Sequence, residues 1–348
     1  MLSLPSIPPV DEAARGAAIA RQAELTKPAG SLGRLESLSI QLAGITGLLR
    51  PPTARRAVIV MAADHGIARE GVSAYPSEVT AQMVLNFAHG GAAVNVLARQ
   101  AGARVVVVDM GVATRLPPLD GVLTRRIADG TRSFLREPAM DREQAEAAVL
   151  AGIAVVTAEI DAGLDLVATG DMGIGNTTAS AAITAVITGR PPAEVTGRGT
   201  GLDDAALAAK VAVIERALAL HRPDPADAIG VLAAVGGFEI GGLAGVMIGA
   251  AARRVPVIVD GFISGAAALI ATGIEPAVRP YLVAGHRSVE AGHAAVLRHL
   301  ELEPVLDLDL RLGEGTGAVL AFGIVEAAVR ILDEMATFAD AGVSSKEE

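Results

Sequence analysis

Short β-branched apolar runs alternate along this chain with longer Ala/Leu-rich runs of helical period, and each short run closes on a polar, glycine-bearing turn. That alternation is the signature of βαβ units around a parallel sheet, whose strands are covered on both faces and so read as continuous apolar stretches. The spacing predicts strands at Ala57–Ala62, Arg104–Val108, Asp165–Thr169, Ile229–Val235, Val255–Val259 and Arg279–Val283. A further run, Pro304–Leu308, has no fixed place. Helices are expected over Ser77–Ala88, Ala92–Gln100, Asp141–Ile160, Thr177–Ile187, Asp203–His221, Ile240–Arg253 and Val289–Leu300. Ser77, Thr177 and Thr178 are the candidate N-caps. Gly111–Met140 lacks a period and reads as a long loop or small excursion.

Two helical runs surround TKPAGSLGRLE within the first fifty residues, and another spans Ala318–Ala339. The expected architecture is therefore α/β: a Rossmann-like open, mainly parallel six-stranded sheet flanked by helices. A small helical subdomain is expected from residues 1–50 plus 318–348, beside a large α/β catalytic domain at 51–317. With 51% hydrophobic but only 2% aromatic residues, the core must be built from Ala, Val, Leu and Ile. A net charge of −10 argues against nucleic acid or an anionic membrane as the main partner. Without cysteine there is no thiolate chemistry, and the cytoplasm is the expected compartment. The first residues lack a basic and then apolar leader pattern, so no secretory signal is expected.

The turns after the predicted strands are ADHG (Ala63–Gly66), DMGV (Asp109–Val112), GDMGIGNTT (Gly170–Thr178), GGFE (Gly236–Glu239), DGF (Asp260–Phe262) and GHRS (Gly285–Ser288). At the carboxyl ends of parallel strands, such turns face one ligand crevice. Gly and Asp also serve as plain turn and cap residues, so it is the repetition that points to a cleft. GDMGIGNTT, opening a helix straight after a strand, suits phosphate. A second loop, TGRGTGLDD (Thr196–Asp204), precedes a helix carrying Lys210. Neither loop matches GxGxxG or GxxxxGK[ST]. In RLGEGTGA (Arg311–Ala318), Glu314 stands between glycines, leaving room for a flat ligand to reach its carboxylate. His286 and His293 share at best one helical face, and no metal site is expected. Met83, at helical spacing from Val79, reads as core.

Seven segments in order, TKPAGSLGRLE, ADHGIAREGVSAYPSEVT, GDMGIGNTTASAA, GGFEIGGLAGVMIGAA, PVIVDGFIS, AVRPYL and RLGEGTGA, resemble the nicotinate-nucleotide:dimethylbenzimidazole phosphoribosyltransferases. The resemblance implies transfer of 5-phosphoribose from nicotinate mononucleotide to 5,6-dimethylbenzimidazole, giving α-ribazole 5'-phosphate and nicotinate for cobalamin. It implies Glu314 as catalytic base, with Asp171 as a second acidic residue where other members carry Glu. It implies phosphate and ribose contacts from Gly173, Asn176, Thr177, Gly199, Lys210, Gly261 and Ser288. The base pocket it implies holds Tyr75, Met83, Met172 and Leu312. It further implies a homodimer acting on small molecules without cofactor or metal. A dinucleotide-dependent oxidoreductase and a non-catalytic binding protein remain the alternatives.

Overall fold

The computed structural model describes residues 2–199 and 201–344. Thr200, inside the predicted 196–204 loop, and Met1 and residues 345–348 of the predicted subdomain lie outside the described residues. The chain opens with α1 (Glu12–Glu24), α2 (Arg34–Thr46), β1 (Arg56–Ala63), α3 (Glu78–Ala88), α4 (Ala93–Gln100), β2 (Arg104–Gly111) and β3 (Val122–Thr124). It continues with α5 (Arg142–Asp161), β4 (Leu166–Met172), α6 (Asn176–Thr188), α7 (Pro192–Val195), α8 (Asp204–His221), α9 (Ala228–Val235) and α10 (Phe238–Ala252). Last come β5 (Val257–Val259), α11 (Phe262–Ile274), β6 (Leu282–Ala284), β7 (His286–Arg287), α12 (His293–Leu300), β8 (Leu306–Asp307), α13 (Thr316–Glu334) and α14 (Phe338–Ala341).

Six strands form one sheet in the order β3-β2-β1-β4-β5-β6, and every neighbouring pair is parallel. The order reverses between β1 and β4. In a doubly wound sheet that reversal opens the ligand crevice at the strands' carboxyl ends. Alternate residues of a strand point to opposite faces. Ile59, Met61 and Val167 accordingly join one core with α5, α6, α10 and α11, while Val58, Val60 and Ala168 join the other with α2, α3, α4 and α13. Among the described residues, no helix is long and apolar enough to cross a membrane.

Small residues replace aromatic ones where α5 and α10 pack. A Cβ on Gly152 would lie 1.9 Å from the carbonyl of Gly242, and one on Gly245 would lie 2.0 Å from the carbonyl of Val149. The two backbones therefore touch, and a single added methyl there forces them apart.

The sequence reading needs four corrections. Ile229–Val235 is not a strand but most of α9, capped by the Asp227 side chain accepting the Gly230 N–H. A run made entirely of apolar residues carries no period to separate the two states. GGFE consequently follows a helix. The sixth strand is instead β3, a three-residue edge inside the segment read as a loop. The apolar run after Asp260 forms α11, which the periodicity did not separate from its strand. Finally, the caps differ: Ser77 makes no side-chain cap, and α6 is capped by Gly175 at φ 99°, with Thr177 and Thr178 inside the helix. That turn needs a left-handed residue, which threonine resists.

Helices α1, α2 and α13 pack against one another, and the Arg21 guanidinium donates to the carbonyls of Leu332 and Asp333 near the far end of the chain. Helix α13 also lies on β4 and β5. Its first turn thereby reaches the sheet's ligand-binding end.

Candidate active site

A cavity of about 500 Å³ opens over the ends of β4 and β5, between the turns that follow them and the segment leading into α13. That segment crosses the sheet at very short range. A Cβ on Gly170 would sit 2.4 Å from the Glu314 carbonyl, and one on Gly315 would sit 2.5 Å from Cγ2 of Val58. Glycine at both positions is what lets the loop lie on the strands. Gly313, Glu314 and Gly315 all adopt positive φ, at 81°, 62° and 89°. For glutamate this costs about 1–2 kcal/mol, a strain of the kind that collects at functional sites.

The strained backbone turns the Glu314 carboxylate inward, where only 6% of the residue is exposed. Its Oε2 accepts the Val94 N–H at 3.3 Å, one of the free donors in the first turn of α4. Burial raises the Glu314 pKa above the ordinary carboxylate value, the Val94 N–H opposes that shift, and the negative charge of Asp260 adds to it. The outcome is a carboxylate more basic than a surface glutamate.

Asp171 lies at the end of β4, beneath the same loop, and its Oδ2 accepts from the Asn176 amide at 2.9 Å. Burial holds its carboxyl well above the ordinary range, and the charges of Asp260 and Glu239 push further in that direction. A Cβ on Gly313 would lie 3.2 Å from Asp171 Oδ2, so the loop passes directly over this acid. Asp260, fully buried, is fixed by accepting the Ala318 N–H at 2.9 Å.

Opposite these carboxyls, the turn Gly173–Thr177 opens α6 and lines the cavity at the helix N-terminus; within it the Asn176 N–H donates to the Gly173 carbonyl at 3.1 Å. Gly173 has no room for a side chain, because a Cβ would lie 2.4 Å from the Ala63 carbonyl. The Thr80 hydroxyl accepts the Ile174 N–H at 3.1 Å and ties the turn to α3. Gly199, at φ 50°, brings a second loop to the same edge, and Gly261 and Ser288 complete it. Lys210 stands one layer behind. It is 1% exposed, and its Nζ donates to Thr177 Oγ1 at 2.8 Å rather than lining the cavity. Burial lowers its pKa to about 8, against the opposing pull of Glu290.

Tyr75, Met83, Met172 and Leu312 line the remaining wall, together with Val79. Tyr75 is 55% and Leu312 59% exposed, so this wall is an open, apolar rim. Met83 and Val79, which share a helix face that reads as core, in fact face the cavity.

Three of the six predicted turns do not line it. The Asp64 N–H donates to the Gly111 carbonyl at 3.0 Å and its carboxylate accepts the Ala113 N–H at 2.7 Å, so ADHG is braced by DMGV and the residue after it, while Asp109 accepts from Gly111 and Val112 at 2.9 Å. In GGFE, Glu239 Oε1 lies 2.6 Å from His65 Nε2 in a buried pair below the α6 turn. His286 and His293 occupy β7 and the start of α12, not one helix face, with ring centroids 6.1 Å apart. Sequence reasoning missed His286, Glu290 and Arg311 as cavity residues. The GHRS turn carried the only signal for the first.

Residues 7–343 match the family described as Phosphoribosyltransferase. The chain belongs to that family. Over 342 residues this phosphoribosyltransferase is 68% identical to the nicotinate-nucleotide–dimethylbenzimidazole phosphoribosyltransferase of Roseiflexus sp. (strain RS-1), covering 98% of this chain and 97% of the relative. It is 65% identical to the protein of the same name from Chloroflexus aggregans, again over 98% and 97%. A crystal structure of the Thermus thermophilus phosphoribosyltransferase superposes with a TM-score of 0.92 at 47% identity, over 97% of this chain and all of that one. Membership removes the oxidoreductase alternative.

Proposed function

We propose that this phosphoribosyltransferase moves 5-phosphoribose from nicotinate mononucleotide to 5,6-dimethylbenzimidazole, yielding α-ribazole 5'-phosphate and nicotinate for the lower ligand of cobalamin. The observation that carries the chemistry is Glu314, a buried and basic carboxylate held in a strained turn at the cavity wall.

The leaving group is already a pyridinium, so breaking the bond between the anomeric carbon and pyridine nitrogen returns the electron pair to that nitrogen and neutralises it. One nitrogen of the benzimidazole forms the new bond, with inversion. The other nitrogen then carries a proton that the product must lose, and Glu314 accepts it. Asp171, at the cavity floor, stabilises the positive charge that develops on the ribose.

The phosphate sits against the backbone of Gly173–Thr177 at the N-terminus of α6, with Gly199, Gly261 and Ser288 alongside. Lys210 supports it by holding the Thr177 hydroxyl. Binding energy spent on this remote anion orients the reacting carbon. The base lies along Tyr75, Met83, Met172 and Leu312. A homodimer in the cytoplasm, acting on these two small molecules, completes the reading; the acidic surface and the absence of cysteine agree with the compartment.

Mixing enzyme with both substrates and identifying products by mass tests this directly. Nicotinate and α-ribazole 5'-phosphate are expected. Binding of both substrates without nicotinate release would leave a carrier instead.

A further inference from the structure

Charge on the cavity wall is unbalanced. Asp171, Glu290 and Glu314 line it with carboxyl groups, and among the described residues Arg311 is the only lysine or arginine that lines it. Lys210 does not restore the balance, because it lies behind Thr177, 1% exposed, with its charge set against Glu290. Backbone donors are also fewer than the shape of the turn suggests. Within Gly173–Thr177, the Ile174 N–H is taken by the Thr80 hydroxyl and the Asn176 N–H by the Gly173 carbonyl. The Gly199 N–H is taken by the Glu290 carboxylate. A phosphate entering here therefore needs a cation to offset the water it gives up.

Arg311 is placed to be that cation. It is exposed, and it belongs to the same RLGEG segment that carries Glu314 across the sheet. Its Nη1 donates to the Gly199 carbonyl at 3.2 Å, and a Cβ on Gly199 would lie 2.9 Å from Thr177 Oγ1, in the first turn of α6. Gly199 is thus held on one side by Glu290 and on the other by Arg311. That grip fixes the guanidinium at the cavity edge before any ligand arrives. Among the described residues the guanidinium has no carboxylate within ion-pair distance and donates only to Gly199. Most of its N–H donors are left over, in a planar fork that matches two phosphate oxygens at once.

Resting on the functional reading above, we propose that Arg311 is a substrate-binding residue that grips the 5'-phosphate from the side opposite the α6 turn. Nicotinate mononucleotide carries a second anion, the carboxylate of its pyridine ring. The Gly199 contact favours the phosphate, because it ties the guanidinium to the Thr177 side of the cavity.

Four ligands separate the two anions at a single pH. Nicotinate mononucleotide carries both, nicotinamide mononucleotide and α-ribazole 5'-phosphate carry only the phosphate, and α-ribazole carries neither. Titration calorimetry of R311Q at pH 7.5 should show the first three bound about tenfold more weakly than by the wild type, with α-ribazole unchanged. R311K should recover part of the loss, since it restores the charge without the fork. Added NaCl should weaken α-ribazole 5'-phosphate binding more steeply in the wild type than in R311Q, because screening acts on a charge that the variant lacks. The side chain is exposed, so the melting midpoint of R311Q should hold; if it falls, R311K carries the same comparison. A loss confined to nicotinate mononucleotide would assign Arg311 to the ring carboxylate and overturn the inference, as would an equal loss with α-ribazole or no loss at all. A wild type that binds none of the four overturns the functional reading with it.

Discussion

The two sides of the cavity are built by different means. On the side proposed for the phosphate, Gly173–Thr177, Gly199 and Gly261 offer backbone, packed so closely that a Cβ on Gly173 would lie 2.4 Å from a carbonyl oxygen. On the side proposed for the base, Tyr75, Met83, Met172 and Leu312 offer side chains, and two of them are more than half exposed. On that proposal the first side holds a group common to every nucleotide substrate and leaves little room for added atoms. The second offers apolar area whose shape side chains set and whose edges are open, so changes there alter preference before they alter turnover. Between them lie the two acids.

The largest effect is expected at that junction. Glu314→Gln should cut turnover by about 10²–10⁴, the usual contribution of a general base, while nucleotide affinity in calorimetry stays within a few-fold. Near-normal turnover would remove Glu314 from the mechanism. In the wild type, kcat/KM should climb with pH through the raised Glu314 pKa.

Asp171→Asn is expected to lower kcat by about 10². It should also stabilise the fold. The Asp171 carboxyl is held well above its ordinary pKa, so its contribution to stability is present below the unfolded value and is lost as pH rises through the folded one. At pH 7–8 the native residue therefore opposes folding, and the amide should raise the melting midpoint by roughly 2 °C. A lower midpoint together with unchanged kcat would make Asp171 merely structural.

Gly199→Ala tests the backbone side. Its φ of 50° and a Cβ placed 2.9 Å from Thr177 Oγ1 should raise KM for nicotinate mononucleotide about tenfold and leave KM for the benzimidazole unchanged. Equal changes in both constants would break the division between the two sides. Leu312→Ala should do the reverse on a smaller scale, changing benzimidazole KM by about two- to threefold with stability altered by no more than ~0.5 kcal/mol, because the side chain is largely in water.

Legibility in the sequence followed burial and range. Strands β1, β2 and β4 read plainly because they run through the sheet centre as unbroken β-branched stretches. Ile229–Val235 looked the same and is a helix, since an all-apolar run displays no period, and only the Asp227 cap betrayed it. Strand β3 was invisible at three residues. In the site, Glu314 stood out because glycines flank it, whereas the strain that aims it depends on Gly170, far away in sequence. Lys210 is charged and close in sequence to a glycine loop, which suggested direct contact; its packing behind Thr177 is a tertiary fact. His286 is defined by Gly317 and Asp260, neither adjacent to it.

All six strands of the central sheet end by residue 284, whereas Glu314 follows them and is locked down only when α13 docks on β4 and β5. A ribosome delivers these pieces in that order. A nascent polypeptide released before α13 holds the complete strand set but no seated Glu314; on the mechanism proposed above, exchange of heterocycles then begins only once translation has passed the last long helix.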